Sequence, residues 1–219
     1  NNLENKHFSY VPLNDSDGNP FKTRDGGTKP LSELFQETYE YIKKFNNLLD
    51  ESIISQLTNS VLTYSDLITN RKTDYKFDLE KFTNVNGKTG IYVQYSQVRA
   101  RKLLENIEIK NNMVNNLKLN NIDKELLSKL YLFSYFVEQS ALLNEPHHLA
   151  NYLYEISNLF NQFYESEKIS EIDELDYLSS KIYITNLFLT TSQNVMLCLG
   201  IVPVSLSLIH ISEPTRLAT

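Results

Sequence analysis

The chain has 219 residues and a formal net charge of −6, and 41% of its residues are hydrophobic. This composition, with a mean hydropathy of −0.35, is typical of a soluble globular protein that can build a packed core. A single cysteine, Cys198, excludes a disulfide framework and a cysteine-based zinc site, and it fits a reducing cytoplasm. The most apolar stretch, residues 195–211, is interrupted by Gly200, Pro203 and several serines, which excludes a membrane span, and no secretory signal opens the chain.

The charge is unevenly distributed. Residues 68–102 hold eight basic residues against three acidic ones, a local net charge of +5, while the rest of the chain sums to −11. Tyr and Phe are interleaved with these basic residues, a composition in which Arg and Lys hold phosphates while aromatic rings stack on unpaired bases. A basic face without any ligand is the alternative explanation, and the aromatic residues favour nucleic-acid binding.

The first part of the chain is predicted to mix strands and helices. Alternation over residues 7–13, followed by a turn-rich loop and residues 21–24, predicts two short strands. Pro30 is typical of a helix start, and apolar residues from Leu31 to Ile42 recur at helical spacing after it. A second helix is predicted over Glu51–Ile68, and residues 73–77 are predicted as a short strand or an extended connection.

From residue 78 onward the pattern predicts helices only. They are expected at roughly 78–84, 88–107, 123–143, 146–165 and 174–199. The Asn- and Lys-rich stretch 110–121 is predicted as a loop. There is no internal repeat, and the six glycines never form a Gly-rich phosphate loop.

The helix at 146–165 has one apolar and one amide-rich face. Its apolar residues recur at spacings of three and four, and by pattern alone this stripe indicates core packing. The stripe consists of Leu149, Tyr152, Leu153, Ile156, Leu159, Phe160 and Phe163.

Tyr95 and Arg99 lie four residues apart and therefore share one face of a predicted helix. A ring and a guanidinium on one face suit a splayed-out base with its phosphate. The alternative is that Tyr95 is a core residue while Arg99 pairs with an acid at the surface.

Two runs carry a resemblance to a known family: Tyr-Val-Gln-Tyr-Ser-Gln-Val-Arg at 92–99, and Pro-His-His-Leu-Ala-Asn-Tyr-Leu-Tyr-Glu at 146–155, which continues to a Phe-Tyr pair at 163–164. They closely resemble the C-terminal part of arginyl-tRNA synthetases, class I enzymes whose final helical bundle binds the anticodon arm. The likeness extends from about residue 7 to residue 204, with Ser96 and Gln97 in place of the family's usual Ala-His. It implies that Tyr95, Arg99 and Tyr164 contact tRNA. We assign the neighbouring Arg101 and Lys102 to the same surface, which gives five predicted tRNA-binding residues.

The loop Phe-Lys-Thr-Arg-Asp-Gly-Gly at 21–27 resembles a degenerate form of the class I signature loop. The resemblance assigns Lys22, Thr23 and Arg24 to ATP phosphates. The first nucleotide-binding signature and the amino-acid pocket would lie before Asn1, so we expect a fragment with no catalytic residue and no arginine activation of its own. The tail 205–219 lacks the family's usual ending and is predicted to be non-native.

His147 and His148 do not predict a metal site. Adjacent helical residues point about 100° apart, and neither has an acidic or cysteine partner four residues on. A pair of solvated or capping histidines at a helix start is the interpretation, and no metal ligand is assigned.

The sequence therefore predicts a mostly α protein: a short α/β remnant of a class I catalytic domain with a stem-contact region at 1–77, then a helical anticodon-binding bundle at 78–204. The resemblance implies a cytoplasmic, monomeric arginine–tRNA ligase that uses ATP with Mg²⁺, arginine and arginine tRNA, to which this segment contributes tRNA docking. A non-catalytic helical module that binds RNA or protein is the alternative. No membrane partner is expected.

Overall fold

The computed structural model describes residues 9, 30–45, 49–73, 78–107 and 117–204. These ranges form helices and contain no strand, which confirms the prediction of a mostly α protein. The helices are α1 (Leu31–Phe45), α2 (Glu51–Ile68), α3 (Leu79–Phe82), α4 (Gly90–Glu105), α5 (Asn121–Leu130), α6 (Phe133–Leu143), α7 (His147–Ser166) and α8 (Leu175–Cys198), with a 3-10 turn at Ile169–Glu171.

Several predicted elements lie outside the described residues. They are the strands at 7–13 (apart from Ser9) and 21–24, most of the segment 73–77, most of the loop 110–121, and the tail 205–219. The division of the chain at residue 78 stays a prediction.

Helix α7 lies at the centre of the larger core. Six of its seven stripe residues are buried and Leu159 is half-buried, as the spacing of three and four predicts. Phe160 stacks on Phe188 of α8, with ring centroids 4.1 Å apart and an interplanar angle of 5°. The hydroxyl of Tyr64 on α2 donates to the Ala150 carbonyl at 3.0 Å, so α2 and α8 both pack on α7.

Helix α4 packs against α2 at very short range. At Gly90, the first residue of α4, an added Cβ would stand 2.2 Å from the Ser60 carbonyl oxygen, so this crossing requires glycine. One turn later Gln94 donates to the Ser60 hydroxyl and to the Val202 carbonyl, both at 2.8 Å, and accepts from the Val204 amide at 3.0 Å. The segment 201–204 is thereby bonded to α4 and, through the same glutamine, to α2.

The single helix predicted at 123–143 is wrong, because the structure contains α5 and α6 with a turn at Tyr131 and Leu132. The Tyr152 hydroxyl of α7 donates to the carbonyls of Lys129 and Leu130, each at 3.2 Å. Those carbonyls would accept from residues 133 and 134 in a continuous helix. The end of α5 therefore coincides with a tertiary hydrogen bond to α7, which no local sequence pattern indicates.

A buried ion-pair network joins α5, α8 and the end of α7. The Lys181 ammonium lies 2.6 Å from carboxylate oxygens of both Asp123 and Glu167, and the side chains of Lys181 and Asp123 are fully buried. Tyr177 adds a hydrogen bond of 2.6 Å to Glu167. Burial opposes the charge on Lys181, but these hydrogen bonds outweigh it and raise the pKa of the ammonium above its usual value. The Lys181 ammonium, paired with two carboxylates, thus holds the three helices together.

Candidate nucleic-acid interface

A pocket of about 320 Å³ opens between α4 and α7. Helix α4 contributes residues one turn apart on its outer face, and α7 contributes the amide-rich face that the sequence places opposite its apolar stripe. Its main polar and aromatic lining residues are Tyr92, Tyr95, Arg99, Asn158, Asn161 and Glu165.

Arg99 lies between aromatic residues of the two helices. Its guanidinium carbon is 4.4 Å from the ring centroid of Tyr95, one turn earlier on α4, and 5.1 Å from that of Tyr164 on α7. Both tyrosine rings are half-buried and border the same guanidinium. Three of the residues predicted to bind tRNA are therefore brought together by the packing of α4 on α7.

Two side chains of α7 accept hydrogen bonds from Arg99. Its Nη1 donates to Glu165 Oε1 at 2.7 Å and to Asn161 Oδ1 at 3.2 Å. Burial disfavours the charge on the half-buried guanidinium, but the interactions with Glu165 and Tyr95 together outweigh burial and raise the pKa of Arg99 above its ordinary value. Asn161 also donates to the Ser96 hydroxyl at 2.9 Å, which fixes the orientation of its amide.

This arrangement combines the two alternatives that the sequence leaves open for Arg99. The side chain does pair with an acid, yet it does so beside Tyr95 in an open pocket. Because Glu165 neutralises the guanidinium, the pocket is suited to a base, which presents a flat face and polar edges. A phosphate would have to compete with the carboxylate for Arg99.

The other two residues predicted to bind tRNA lie elsewhere on α4. Arg101 is on the opposite side of the helix, where its guanidinium donates to the Val204 carbonyl at 2.5 Å. Burial lowers the pKa of this guanidinium. Lys102 is exposed and lies on the same face as Tyr95 and Arg99, one turn past the pocket. The geometry therefore supports Lys102 as a contact of the same surface more directly than Arg101.

The first basic residues of the 68–102 segment lie against the start of α7. Glu145 is 3.9 Å from Arg71, 3.7 Å from Lys72 and 3.2 Å from the His148 ring. Burial opposes its ionisation, but the His148 hydrogen bond and Lys72 hold the pKa of the Glu145 carboxyl below its usual range. Glu145, His147 and His148 could each offer one ligand atom within 4.8 Å of the others, although the two cations already engage the carboxylate.

Sequence reasoning missed the polar side of the pocket. Asn158, Asn161 and Glu165 were seen only as part of an amide-rich face, whereas the structure aims them at Tyr92 and Arg99 of α4. Their spacing of three and four on the side facing away from the apolar stripe is the signal that could have found them. Lys22, Thr23 and Arg24, the predicted ATP-binding residues, lie outside the described residues.

A family model for the DALR anticodon-binding domain matches residues 93–205, which include most of α4 and all of α5 to α8. The chain belongs to this family. The candidate pocket lies at the α4–α7 contact of the DALR domain, and α1 and α2 precede the matched region. None of the helices that the structure describes is sufficiently long and apolar to cross a bilayer.

Curated relatives of this DALR chain are arginine–tRNA ligases, which confirms the resemblance drawn from its two motifs. That of Francisella tularensis subsp. novicida is 36% identical over 187 residues, covering 81% of this chain and 32% of the relative. That of Alkaliphilus oremlandii is 30% identical over 207 residues, covering 90% of this chain and 35% of the relative. The chain thus spans about a third of the length of the relatives it matches.

Solved structures share the fold of the DALR chain. Thermus thermophilus arginyl-tRNA synthetase aligns with a TM-score of 0.76 at 18% identity, over 89% of this chain and 34% of that one. The Plasmodium falciparum arginyl-tRNA synthetase aligns with a TM-score of 0.62 at 23% identity, over 79% of this chain and 31% of that one. At these identities the likeness establishes the arrangement of helices alone.

Proposed function

We propose that this chain binds the anticodon arm of arginine tRNA, as part of an arginine–tRNA ligase that joins arginine to its tRNA in an ATP-dependent reaction. The observation that carries the proposal is that Tyr95 and Arg99 line an open pocket of a DALR domain, with the Tyr164 ring next to the same guanidinium. Aromatic faces and a guanidinium at one site suit a base that has left its stack in an RNA loop.

The role of the chain in that reaction is positioning. The fixed contacts between α4 and α7 hold the pocket rigid, and an anticodon arm seated there places the acceptor end of the tRNA at a distant active site. Arginine and ATP with Mg²⁺ would be bound by the catalytic part, to which we assign residues 1–77 as a C-terminal remnant with a degenerate signature loop. We assign residues 78–204 to the anticodon-binding bundle, and we propose a monomeric, cytoplasmic enzyme.

A filter-binding titration tests the proposal. The chain is titrated with arginine tRNA and with an unrelated tRNA at several salt concentrations. We expect tighter binding of arginine tRNA and an affinity that falls as salt rises, because Lys and Arg contacts displace counterions from phosphates. Arg99→Ala should weaken binding by about 1 to 3 kcal/mol, the range of losses at other nucleic-acid contacts.

A matched control distinguishes the loss of the Arg99 contact from the loss of one positive charge anywhere on the surface. Lys44→Ala removes one exposed positive charge at the end of α1, outside the pocket, and should leave the affinity nearly unchanged. Thermal unfolding of Arg99→Ala checks that the variant is folded. Absence of salt-sensitive binding by the wild type, or equal binding by folded Arg99→Ala, would contradict the proposal and favour a helical module that binds protein.

A further inference from the structure

We propose that the groove between α5 and α7 is a second nucleotide site, which takes an unpaired base next to the one held in the α4–α7 pocket. The inference rests on the proposed function, because it assumes that the partner is an RNA loop. It adds a second surface of α7 to the proposed RNA interface. The residues that line the groove are of the kinds that bind a base.

The groove has room for a nucleotide and apolar walls. Its volume is about 580 Å³, and α5 contributes Ser128 and Lys129 to one side. Leu132, whose side chain remains 43% exposed although it is apolar, lines it with the half-buried Leu159 of α7. A flat aromatic base would cover this apolar surface, and burial of such surface favours binding.

The groove lies next to the α4–α7 pocket. Asn158 lines both cavities, and Tyr154 stands one turn before it on the same edge of α7. The Tyr92 hydroxyl donates to Asn158 at 3.3 Å, and the Tyr92 and Tyr154 rings lie 5.6 Å apart. A single row of α7 side chains therefore separates the two cavities, so a loop with splayed bases could straddle this edge and place one base on each side.

The charges of the groove also suit a base flanked by a phosphate. Lys129 forms an ion pair with Glu155 across the groove, which leaves its interior close to neutral. Lys124 lies exposed at the edge, and among the described residues no hydrogen-bond or ion-pair partner is found for its side chain. Lys88, with its ammonium 5.4 Å from the Tyr154 ring centroid, adds a second cation near the shared edge. Glu125 also lines the groove and offsets the charge of Lys124, so the surplus positive charge comes from Lys88. It lies near the shared edge, where a backbone phosphate would pass.

Ser128→Trp tests the site by filling the groove. Ser128 is exposed on α5, so the larger side chain can enter the groove without disturbing the core. The probe is a synthetic anticodon stem-loop of arginine tRNA, titrated in a filter-binding assay. We expect a loss of affinity of about 5- to 150-fold, the range that corresponds to one stacked base. Ser52→Trp, an equal change at an exposed residue of α2, should leave the affinity unchanged.

Stem-loops with one abasic nucleotide at a time locate the base. If the groove holds a base, removal of the base at one loop position should weaken binding to the wild type. The same removal should have little further effect on binding to Ser128→Trp. A different position should behave in this way with Tyr95→Ala, which removes a wall of the pocket. This non-additivity identifies residues that share one contact, which a general loss of folding would not produce.

The outcomes separate the two proposals. If the wild type binds no stem-loop in a salt-sensitive manner, the proposed function fails, and the second site fails with it. If the wild type binds and Tyr95→Ala weakens it, while Ser128→Trp binds equally well, only the second site is overturned. A marked fall in the melting temperature of Ser128→Trp would show that the groove is filled by the chain itself, and that result also overturns it.

Discussion

Replacement of Glu165 by glutamine should increase RNA affinity and decrease its selectivity. Glu165 neutralises Arg99 through a contact of 2.7 Å, and its side chain is 62% exposed at the mouth of the pocket. Glutamine keeps the size of the side chain but removes the negative charge. Arg99 is then free to attract the phosphate of any RNA strand that reaches the pocket.

The exposure of Glu165 and the charge of Arg99 set the expected change in stability and in salt dependence. An ion pair with so exposed a carboxylate contributes only about 0.2 to 1 kcal/mol, so the variant should stay folded. A guanidinium that engages one further phosphate of a single strand steepens the dependence of log affinity on log salt by about 0.7. Over a fourfold increase in salt, this corresponds to about a threefold greater loss of affinity than the wild type shows.

The assay is a filter-binding titration of both proteins with arginine tRNA and an unrelated tRNA at about 50 and 200 mM salt. Glu171→Gln is the matched control, because Glu171 is similarly exposed, at 67%, and forms an ion pair with Lys168 at 3.0 Å on the 3-10 turn. The control should reproduce the wild-type salt dependence. The reasoning would be refuted if Glu165→Gln weakened binding to both tRNAs, or tightened binding without any change in the salt dependence.

Three further predictions concern stability, each measured by circular dichroism melting. Lys181→Met leaves the buried carboxylate of Asp123 without its cation and should cost about 3 to 5 kcal/mol, or roughly 6 to 20 °C in melting temperature; a fall of only a degree or two would contradict it. Burial opposes the ionisation of Glu167, but the interactions with Lys181 and Tyr177 together hold the pKa of this carboxyl below its usual value. The stability that the carboxylate contributes is therefore present above that usual value and is lost as the pH falls through the folded-state pKa, so the difference in melting temperature between Lys181→Met and the wild type should narrow in acid. Gly90→Ala forces a Cβ against the Ser60 carbonyl and should destabilise the protein by about 1 to 3 kcal/mol; an unchanged melting temperature would mean that α2 and α4 separate at little cost. Deletion of residues 205–219 should leave the melting temperature unchanged within error, because Gly200 and Pro203 end the last helix and an alternating segment has no partner strand in a bundle, whereas a drop of several degrees would show that the tail packs.

Local periodicity predicted most of the helices closely. The limits of α2 are those predicted, and α7 is displaced from its predicted limits by a single residue at each end. Helices with strong amphipathic repeats can be predicted from sequence, because the same residues that recur at the helical period also form the core. The break between α5 and α6 was missed because the hydroxyl that bonds the carbonyls at the break, that of Tyr152, is supplied by a different helix.

The candidate site was predicted in part for the same reason. Tyr95 and Arg99 share a face within one helix, and their proximity could be derived from spacing alone. The partners of Arg99 could not, because Asn161 and Glu165 lie 62 and 66 residues further along the chain. Only the packing of α4 on α7 reveals that the arginine is neutralised, and this narrows the expected ligand of the pocket from a base with its phosphate to the base.

The bonds of Gln94 and Arg101 to the segment 201–204 bear on how this protein folds as it is synthesised. They connect residues 103 to 110 positions apart, so the contact between α2 and α4 receives its last hydrogen bonds from residues translated long after both helices. Contacts so distant in sequence slow folding, because a long loop must close before they form. We expect the layer of α2 and α4 to stay incompletely formed on the ribosome until residue 204 has emerged, and a nascent chain halted near residue 195 should be readily cleaved by protease within that layer.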